Sequence, residues 1–378
     1  MNEELSYWLA LAHLPKLRTK KKNELIIRLF EEQKTIIDFF HFEPKYWKDN
    51  YELNENEISL FQDAKKELSN YAFLVEDLLE QGYSILPITS ADYSPTLKKN
   101  LGISYAPPLI YTKGNKAIMK EKSIAIVGSR KATKVSLDFT DNVAKIASEE
   151  YKVIVSGFAK GVDKQALDSS LKYKGQSIIV LPQGISTFNS GFKKYYKKII
   201  EGDVMVLSTF HPKANWSVGY AMARNPIIYG LATEIFVAES SNKGGTWSGV
   251  VDGLKKGREI FVRKPEFNEV NANNQLIQKG AVPVNANGTV LSYEQQIDLS
   301  QTIVSEQQPN DLEYKIFGLL KKGTFTSKAI IDTLKLDWSS RKVSAFLKTR
   351  DEIVTIVGKP LKFSHKEHTI QSQKTLFD

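Results

Sequence analysis

The feature that most constrains this fold is an alternation of apolar runs with helical segments between residues 123 and 284. The segments between the runs have apolar residues three or four positions apart, as amphipathic helices do. The apolar runs read SIAIVG, KVIVSG, QSIIVLPQG, VMVLSTF, EIFVAE and REIFVRK. Strands that alternate with helices form right-handed crossovers and a mainly parallel sheet, so the sequence predicts an α/β fold.

Different patterns flank this region. Residues 3–81 are mostly of helical periodicity, followed by a short strand pattern, YSILPI, and by LIYT, where preceding prolines predict an edge strand. The stretch 291–310 is polar and Gln-rich, as linkers are. Three short helices and a hairpin with a Gly-Lys-Pro turn then have the outline of a winged helix. We therefore expect a helical domain over 1–83, an α/β core over 84–290, a linker over 291–310 and a winged-helix domain over 311–370.

Positive charge is concentrated in two blocks of the chain. The 378 residues have a formal net charge of +9. Residues 121–290 carry 23 basic against 15 acidic side chains, and residues 311–378 carry 13 against 8, whereas residues 1–120 are nearly balanced. Two basic blocks are expected of modules that bind a polyanion such as nucleic acid, although a Lys-rich surface that serves solubility has the same balance.

Composition argues against several kinds of site. The chain has no cysteine, which excludes disulfides and thiolate metal sites and fits a cytoplasmic location. No apolar run is long enough to span a membrane, and the acidic start lacks the basic segment of a signal peptide. The histidines are scattered, and chance explains the one close pair, His365 and His368, better than a metal does. We expect neither metal nor cofactor.

The first strand of the α/β region ends in an unusual turn, SIAIVGSRKATK, residues 123–134. A dinucleotide site would have three glycines here, but this turn has one, followed by Ser129, Arg130 and Lys131. Hydroxyls, cations and backbone amides bind phosphate oxygens. The turn therefore favours a phosphate ligand held by side-chain charge.

The second strand has a similar end. Ser156 and Gly157 form its tip, Lys160 follows closely, and no carboxylate is available for a ribose hydroxyl. The absence of that carboxylate argues against NAD and suits a chain of phosphates. In the alternative interpretation, Gly157 and Gly161 only permit tight strand-to-helix packing, and we expect Asp163 to be a helix N-cap.

Two later segments add candidate anion-binding groups. Arg224 and Asn225 follow an amphipathic helical segment, where the guanidinium would bind phosphate or instead pair with an acid across the domain. Lys243 precedes the segment 244–246, Gly-Gly-Thr, whose amides can form an anion-binding nest. Trp247 would stack on a base or, in the alternative, be buried against the sheet.

The chain resembles the DprA/Smf family of DNA-processing proteins in a series of motifs and in their order. The motifs are AIVGSR, SGFAKGVD, LSTF, ARNPIIYGLA, the Gly-Gly-Thr loop and NNQLIQKGAVPV. The resemblance is good over about 85–285. It implies an extended Rossmann-like core, an N-terminal helical (SAM-like) domain and a C-terminal winged helix. It further implies a non-enzymatic homodimer that protects single-stranded DNA and loads a RecA-type recombinase during natural transformation.

The resemblance and the residue patterns point to the same DNA-binding positions. Arg130 matches the family's Gly-Ser-Arg motif, Lys160 stands where the family usually has Arg, and Arg224 and Asn225 match its Arg-Asn pair. The candidate DNA-binding residues are Ser129, Arg130, Lys131, Ser156, Gly157, Lys160, Arg224, Asn225, Lys243, Gly244, Gly245 and Thr246. In the winged helix, Arg341, Lys342 and Lys348 are candidates for DNA contact, while protein contact and a scaffold role stay open.

Departures from the family pattern leave two other functions open. Val135 and Ser136 replace the family's Tyr-Gly, and the small-residue loop contains Trp247. Divergent DprA-like proteins also act as regulatory or antitoxin partners of nearby toxins in phage defence. The second alternative is a LOG-like nucleotide-binding enzyme, because the LOG-type nucleotide phosphoribohydrolases share the core fold. Their loop has a glutamate where this chain has Gly249, so we expect the hydrolase activity itself to be disabled.

Overall fold

The computed structural model describes residues 2–266, 269–291, 311–336, 338–356, 358, 360–366 and 368. The chain divides into two compact units, Met1–Leu291 and Ser292–Asp378, which are described separately. All of the expected linker except Leu291 lies outside the described residues, as does the segment after 368. The expected domain boundaries therefore stay predictions. Within the described residues, no helix combines the length and apolarity needed to cross a membrane.

A nine-stranded sheet forms the centre of the first unit. Its order is β1-β2-β6-β5-β4-β3-β7-β8-β9, with parallel pairing from β6 through β9 and antiparallel pairing for β1 and β2. The strands are β1 Ser84–Pro87, β2 Leu109–Lys113, β3 Ser123–Val127, β4 Val153–Ser156, β5 Ser177–Val180, β6 Val204–Ser208, β7 Glu234–Val237, β8 Ile260–Arg263 and β9 Val282–Val284. The expected α/β class with a mainly parallel sheet is confirmed.

Helices surround this sheet and fill the N-terminal region. They are α1 Asn2–Ala12, α2 Thr19–Glu31, α3 Ile36–His41, α4 Pro44–Tyr51, α5 Glu55–Lys66, α6 Leu68–Glu80, α7 Pro95–Leu101, α8 Lys134–Glu149, α9 Val162–Lys172, α10 Asn189–Ile200, α11 Val218–Ala223, α12 Asn225–Leu231, α13 Gly245–Lys255 and α14 Asn273–Gln278. Short 3₁₀ turns cover Lys116–Lys120 and Ile185–Thr187.

The parallel strands β3, β4, β5, β6 and β8 are buried on both faces because helices cover both. Along β3, Ile124 and Ile126 pack in one hydrophobic cluster, whereas Ala125 and Val127 belong to the cluster on the opposite face. This alternation is the two-residue period of a strand. Burial on both faces explains why the apolar runs in the sequence are continuous.

The expectation that the strand after the prolines lies at an edge is wrong. β2 pairs with both β1 and β6, and β1 forms that edge of the sheet. Pro107 and Pro108 precede the strand and so remove no amide from its ladder. A proline just before a strand therefore says nothing about the strand's place in the sheet.

Within its described residues, the second unit has three helices and a small antiparallel sheet. The helices are α15 Asp311–Leu320, α16 Ser327–Leu334 and α17 Ser340–Lys348, and the strands are β10 Phe325–Thr326, β11 Ile353–Ile356 and β12 Lys362–His365. Ile316, Leu347 and Phe363 belong to its buried core. Lys359, in the expected Gly-Lys-Pro turn, lies outside the described residues, and the winged-helix assignment stays a prediction.

Candidate nucleic-acid interface

The candidate site lies where the strand order of the large sheet reverses. β3 stands between β4 and β7, with β5 and β6 continuing on one side and β8 and β9 on the other. In open α/β sheets the loops at the carboxyl ends of the strands separate at such a point and leave a crevice for ligand. Two neighbouring clefts open there.

The first of these, the switch-point cleft, has a volume of about 390 Å³. The loop after β3, the loop after β7 and the helices α11 and α12 form its walls. Its polar and charged lining residues are Ser129, Arg130, Asp163, Arg224, Asn225, Tyr229, Ser241, Lys243 and Thr246, together with the glycines 128, 244 and 245. Most of the candidate residues from the sequence therefore meet in one cavity.

The second, the outer cleft, has a volume of about 550 Å³ and lies over the ends of β4 and β5. Lys131, Gly157, Lys160 and Trp216 line it. The two clefts share Arg130, Ala159, Ala221 and Arg224, so they form one groove. Five basic side chains and one acidic side chain line this groove. Arg130, Lys131, Lys160 and Lys243 are exposed.

The sixth charged group, Asp163, pairs with Arg224 beneath the groove. Arg224 is 4% exposed; its Nη1 donates to the carbonyl of Val180 at 2.8 Å, and its Nη2 lies 3.7 Å from the Asp163 carboxylate. Burial raises the pKa of Asp163, while Arg224 and hydrogen bonds from the backbone at residues 157 and 159 oppose that rise. Arg224 therefore pairs with an acid, as in its alternative interpretation, and it also lines both clefts.

Two glycines shape the loop between β4 and α9. A Cβ on Gly157 would lie 1.6 Å from Nη1 of Arg224, so only glycine lets the guanidinium cross the chain here. Gly161 has φ +80° and its Cβ would lie 2.3 Å from the carbonyl oxygen of Ser129. Gly161 is also the N-cap of α9, so the expectation of an Asp163 N-cap is wrong: Asp163 lies in the first turn, where it holds Arg224.

Ser156 does not reach the groove. Its side chain is buried and its hydroxyl donates to the backbone carbonyl of Asp163 at 3.1 Å. Asn225 reaches the switch-point cleft, but its Nδ2 donates to the carbonyl of Gly245 at 3.2 Å. Thr246 similarly donates its hydroxyl to the carbonyl of Gly128 at 3.1 Å. Asn225 and Thr246 thus fix the loop after β7 against its neighbours.

Trp247 is partly buried against the hydrophobic core, as in the second of its two interpretations. In the second unit, Arg341, Lys342 and Lys348 are exposed on α17. The ammonium of Lys342 lies 4.4 Å from the ring centroid of Trp338, a cation–π contact that occupies one face of the indole. Arg341, Lys342 and Lys348 thus lie on one helix of the second unit.

Sequence reasoning missed Glu239, which holds the turn after β3 in place. Its carboxylate accepts hydrogen bonds from the amide and hydroxyl of Thr133 and from the hydroxyl of Ser136, at 2.8–3.0 Å. Its backbone carbonyl accepts from the amide of Ser129 at 2.9 Å. The turn is thus held by a carboxylate from the loop after β7.

Trp216 was also missed. It is 51% exposed and lines the outer cleft. The signal was present in the sequence, since this indole stands between Asn215 and Ser217, outside any apolar period. An exposed aromatic ring beside a basic groove is a stacking surface for a base.

Known proteins share both the sequence and the arrangement of this region. The family model described as DNA recombination-mediator protein A matches residues 84–295. The DNA processing protein DprA of Streptococcus pneumoniae is 32% identical over 189 residues, which cover 50% of this chain and 67% of that protein. The DprA of Bacillus subtilis is 29% identical over 206 residues, which cover 53% and 68%.

A solved structure shares the fold. The X-ray structure of DprA from Streptococcus pneumoniae superimposes with a TM-score of 0.62 at 23% identity, covering 81% of this chain and 98% of that one. The family model covers more than half of the 378 residues and includes every strand of the large sheet. The chain is a member of the DNA recombination-mediator protein A family, the DprA/Smf proteins.

Proposed function

We propose that this DprA-type DNA-processing protein binds single-stranded DNA, without sequence preference, along the groove formed by the two clefts. The observation that carries the proposal is the charge of that groove, five basic side chains against one acidic. Single-stranded DNA presents one negative charge per nucleotide, so a line of cations matches any sequence equally well.

The position of the charges supports a strand that crosses the sheet edge. Lys160 lies over β4 in the outer cleft and Lys243 over β7 in the switch-point cleft, with Arg130 shared between the clefts. Trp216 adds an aromatic surface on the outer side, where a base can stack while its phosphate contacts the cations.

A non-enzymatic role is part of this proposal. The LOG-type hydrolases place a glutamate where this chain has Gly249. A Cβ at Gly249 would lie 2.6 Å from the ring of Tyr229, a buried side chain that fills the space a glutamate would need. Transfer of the bound strand to a RecA-type recombinase, homodimer formation and a cytoplasmic location complete the proposal, with a nearby toxin as the alternative partner.

The test is a salt titration of oligonucleotide binding, followed by fluorescence anisotropy. The double variant Arg130→Ala, Lys160→Ala should bind at least tenfold more weakly, because the groove then has two fewer cations. The slope of log affinity against log salt should become shallower by about 1.4, that is about 0.7 for each phosphate that is no longer neutralised. Lys65→Ala, which removes an exposed cation on α5, is the matched control.

An unchanged affinity and slope in the double variant would reject the groove as the binding site. Release of free base from a nucleoside monophosphate would reject the non-enzymatic role.

A further inference from the structure

The amino end of α13 opens into the switch-point cleft without a side-chain cap. Its N-cap is Gly244, at φ +93°, and the next two residues, Gly245 and Thr246, also line the cleft. The first helical hydrogen bond runs from the amide of Ser248 to the carbonyl of Gly244. The amides of 245–247 are thus left without an intrahelical acceptor, at the positive end of an eleven-residue helix.

A buried cation provides an independent indication of an anionic ligand. Arg224 lines the same cleft with its side chain 5% exposed, and its Nε has no hydrogen-bond partner among the described residues. Its Nη2 is 3.7 Å from Asp163, beyond hydrogen-bonding distance. The guanidinium therefore has hydrogen-bonding capacity that the protein leaves unused, and burying such a group is unfavourable unless something satisfies it.

The shape of the groove separates its two parts. The switch-point cleft is walled by three segments, namely the turn after β3, the loop after β7 and the helices α11 and α12. The residues it shares with the outer cleft are Arg130, Ala159, Ala221 and Arg224, which mark where the two join. A strand that lies in the outer cleft can therefore place one phosphate among these segments.

We propose that the switch-point cleft binds the terminal phosphomonoester of a DNA strand, while the outer cleft holds the nucleotides next to it. This inference rests on the proposed function. A phosphomonoester carries close to two negative charges at neutral pH, because its second pKa is about 6, whereas an internal phosphodiester carries one. The amides at the start of α13, together with Lys243 and Arg224, match the three terminal oxygens and second charge of a phosphomonoester better than the two non-bridging oxygens of an internal phosphodiester.

The experiment compares four single-stranded probes of one sequence, namely a 5′-phosphorylated strand, a 3′-phosphorylated strand, a strand with hydroxyls at both ends, and a covalently closed circle. We expect one of the two phosphorylated strands to bind at least tenfold more tightly than the hydroxyl strand, and the circle to bind as the hydroxyl strand does. The two phosphorylated arms identify which end is held. The preference should shrink several-fold from pH 7.5 to pH 5.5, as the phosphate gains its second proton.

Two variants locate the effect. Lys243→Ala should weaken binding of the phosphorylated strand by a larger factor than binding of the circle, and so reduce the preference for the phosphorylated end, because Lys243 lines only the switch-point cleft. Lys160→Ala, the matched control in the outer cleft, should weaken all four probes by the same factor.

Equal affinity for phosphorylated and hydroxyl strands overturns this inference, and binding of the circle then shows that the proposed function stands. A preference that survives Lys243→Ala also overturns it. If none of the probes binds, the proposed function fails, and the inference fails with it.

Discussion

At the scale of single residues, the groove depends on a close approach between Gly157 and Arg224. The guanidinium lies across the bare backbone of Gly157, in the space that a Cβ would take, and from there reaches both Asp163 and the carbonyl of Val180. One missing methyl group thus allows a buried ion pair to form under two clefts. The same arrangement fixes the position of the loop that carries Lys160.

Gly157→Ala should therefore displace Arg224 and leave Asp163 buried without its counter-ion. Breaking a buried pair in this way costs about 3–5 kcal/mol of unfolding free energy. Urea unfolding measures the loss. The control is Gly219→Ala in α11, where a Cβ meets nothing closer than 3.8 Å, and which should be neutral or slightly stabilising. Equal effects of the two changes would contradict this account of Gly157.

At the scale of elements, the start of α8 is held by a residue from a different strand end. Glu239, after β7, accepts from Thr133 and Ser136, and Ser136 also accepts from Arg263 of β8 at 3.1 Å. Residues of β8 and of the loop after β7 thereby hold the turn that follows β3. That turn carries Arg130, so its charge is placed by the network rather than by the turn's own residues.

Glu239→Gln should destabilise the protein by about 1–2 kcal/mol, because one carboxylate oxygen, Oε2, accepts all three hydrogen bonds and a neutral amide oxygen in its place is a weaker acceptor. It should also weaken binding of single-stranded DNA, since the turn would move with Arg130. Thermal unfolding and anisotropy measure the two effects. Glu259→Gln, at an exposed carboxylate before β8, is the control and should change neither. If the Glu239→Gln protein is destabilised but binds single-stranded DNA normally, the hydrogen-bond network does not position Arg130.

The sequence predicts the strands and their ends better than it predicts the side-chain contacts between them. Arg130, Lys160 and the Gly-Gly-Thr loop could be placed together from the sequence, because the carboxyl ends of parallel strands meet at one edge of the sheet. The pairing of Arg224 with Asp163 and the role of Glu239 were not, because they join positions 61 and 106 residues apart through side-chain geometry. Ser156 was misplaced for a similar reason, since its hydroxyl turns inward to a helix backbone.

At the scale of the whole first unit, a cluster of basic groups joins the N-terminal helices to the sheet. His13, after α1, hydrogen-bonds through Nε2 to the buried hydroxyl of Tyr111 in β2 at 2.7 Å, and its ring lies 5.1 Å from that of His211. Burial, with His211 and Lys22 nearby, lowers the pKa of His13 to about 3. His13 is therefore neutral in the folded protein at pH values where the unfolded chain, with a pKa of about 6.5, takes up a proton.

Stability should consequently fall as the pH drops below about 6.5, by up to about 1.4 kcal/mol per pH unit for this one group, until the folded pKa is reached. Thermal unfolding at pH 7.5, 6.5 and 5.5 checks this. His13→Gln keeps a polar partner for Tyr111 and should flatten the dependence, whereas His41→Gln, on α3, should leave it as it is. An identical pH dependence in His13→Gln would contradict the assignment.

Hydrogen–deuterium exchange on adding single-stranded DNA tests the central claim most directly, because it reports on the backbone of the strand-end loops. The amides of 245–247 have no intrahelical acceptor, so they should exchange quickly in the free protein and any protection there will be clear. We expect slowed exchange in the loops 128–133, 157–161 and 241–247 together. Protection that spares all three loops and falls only on α17 of the second unit would contradict the account.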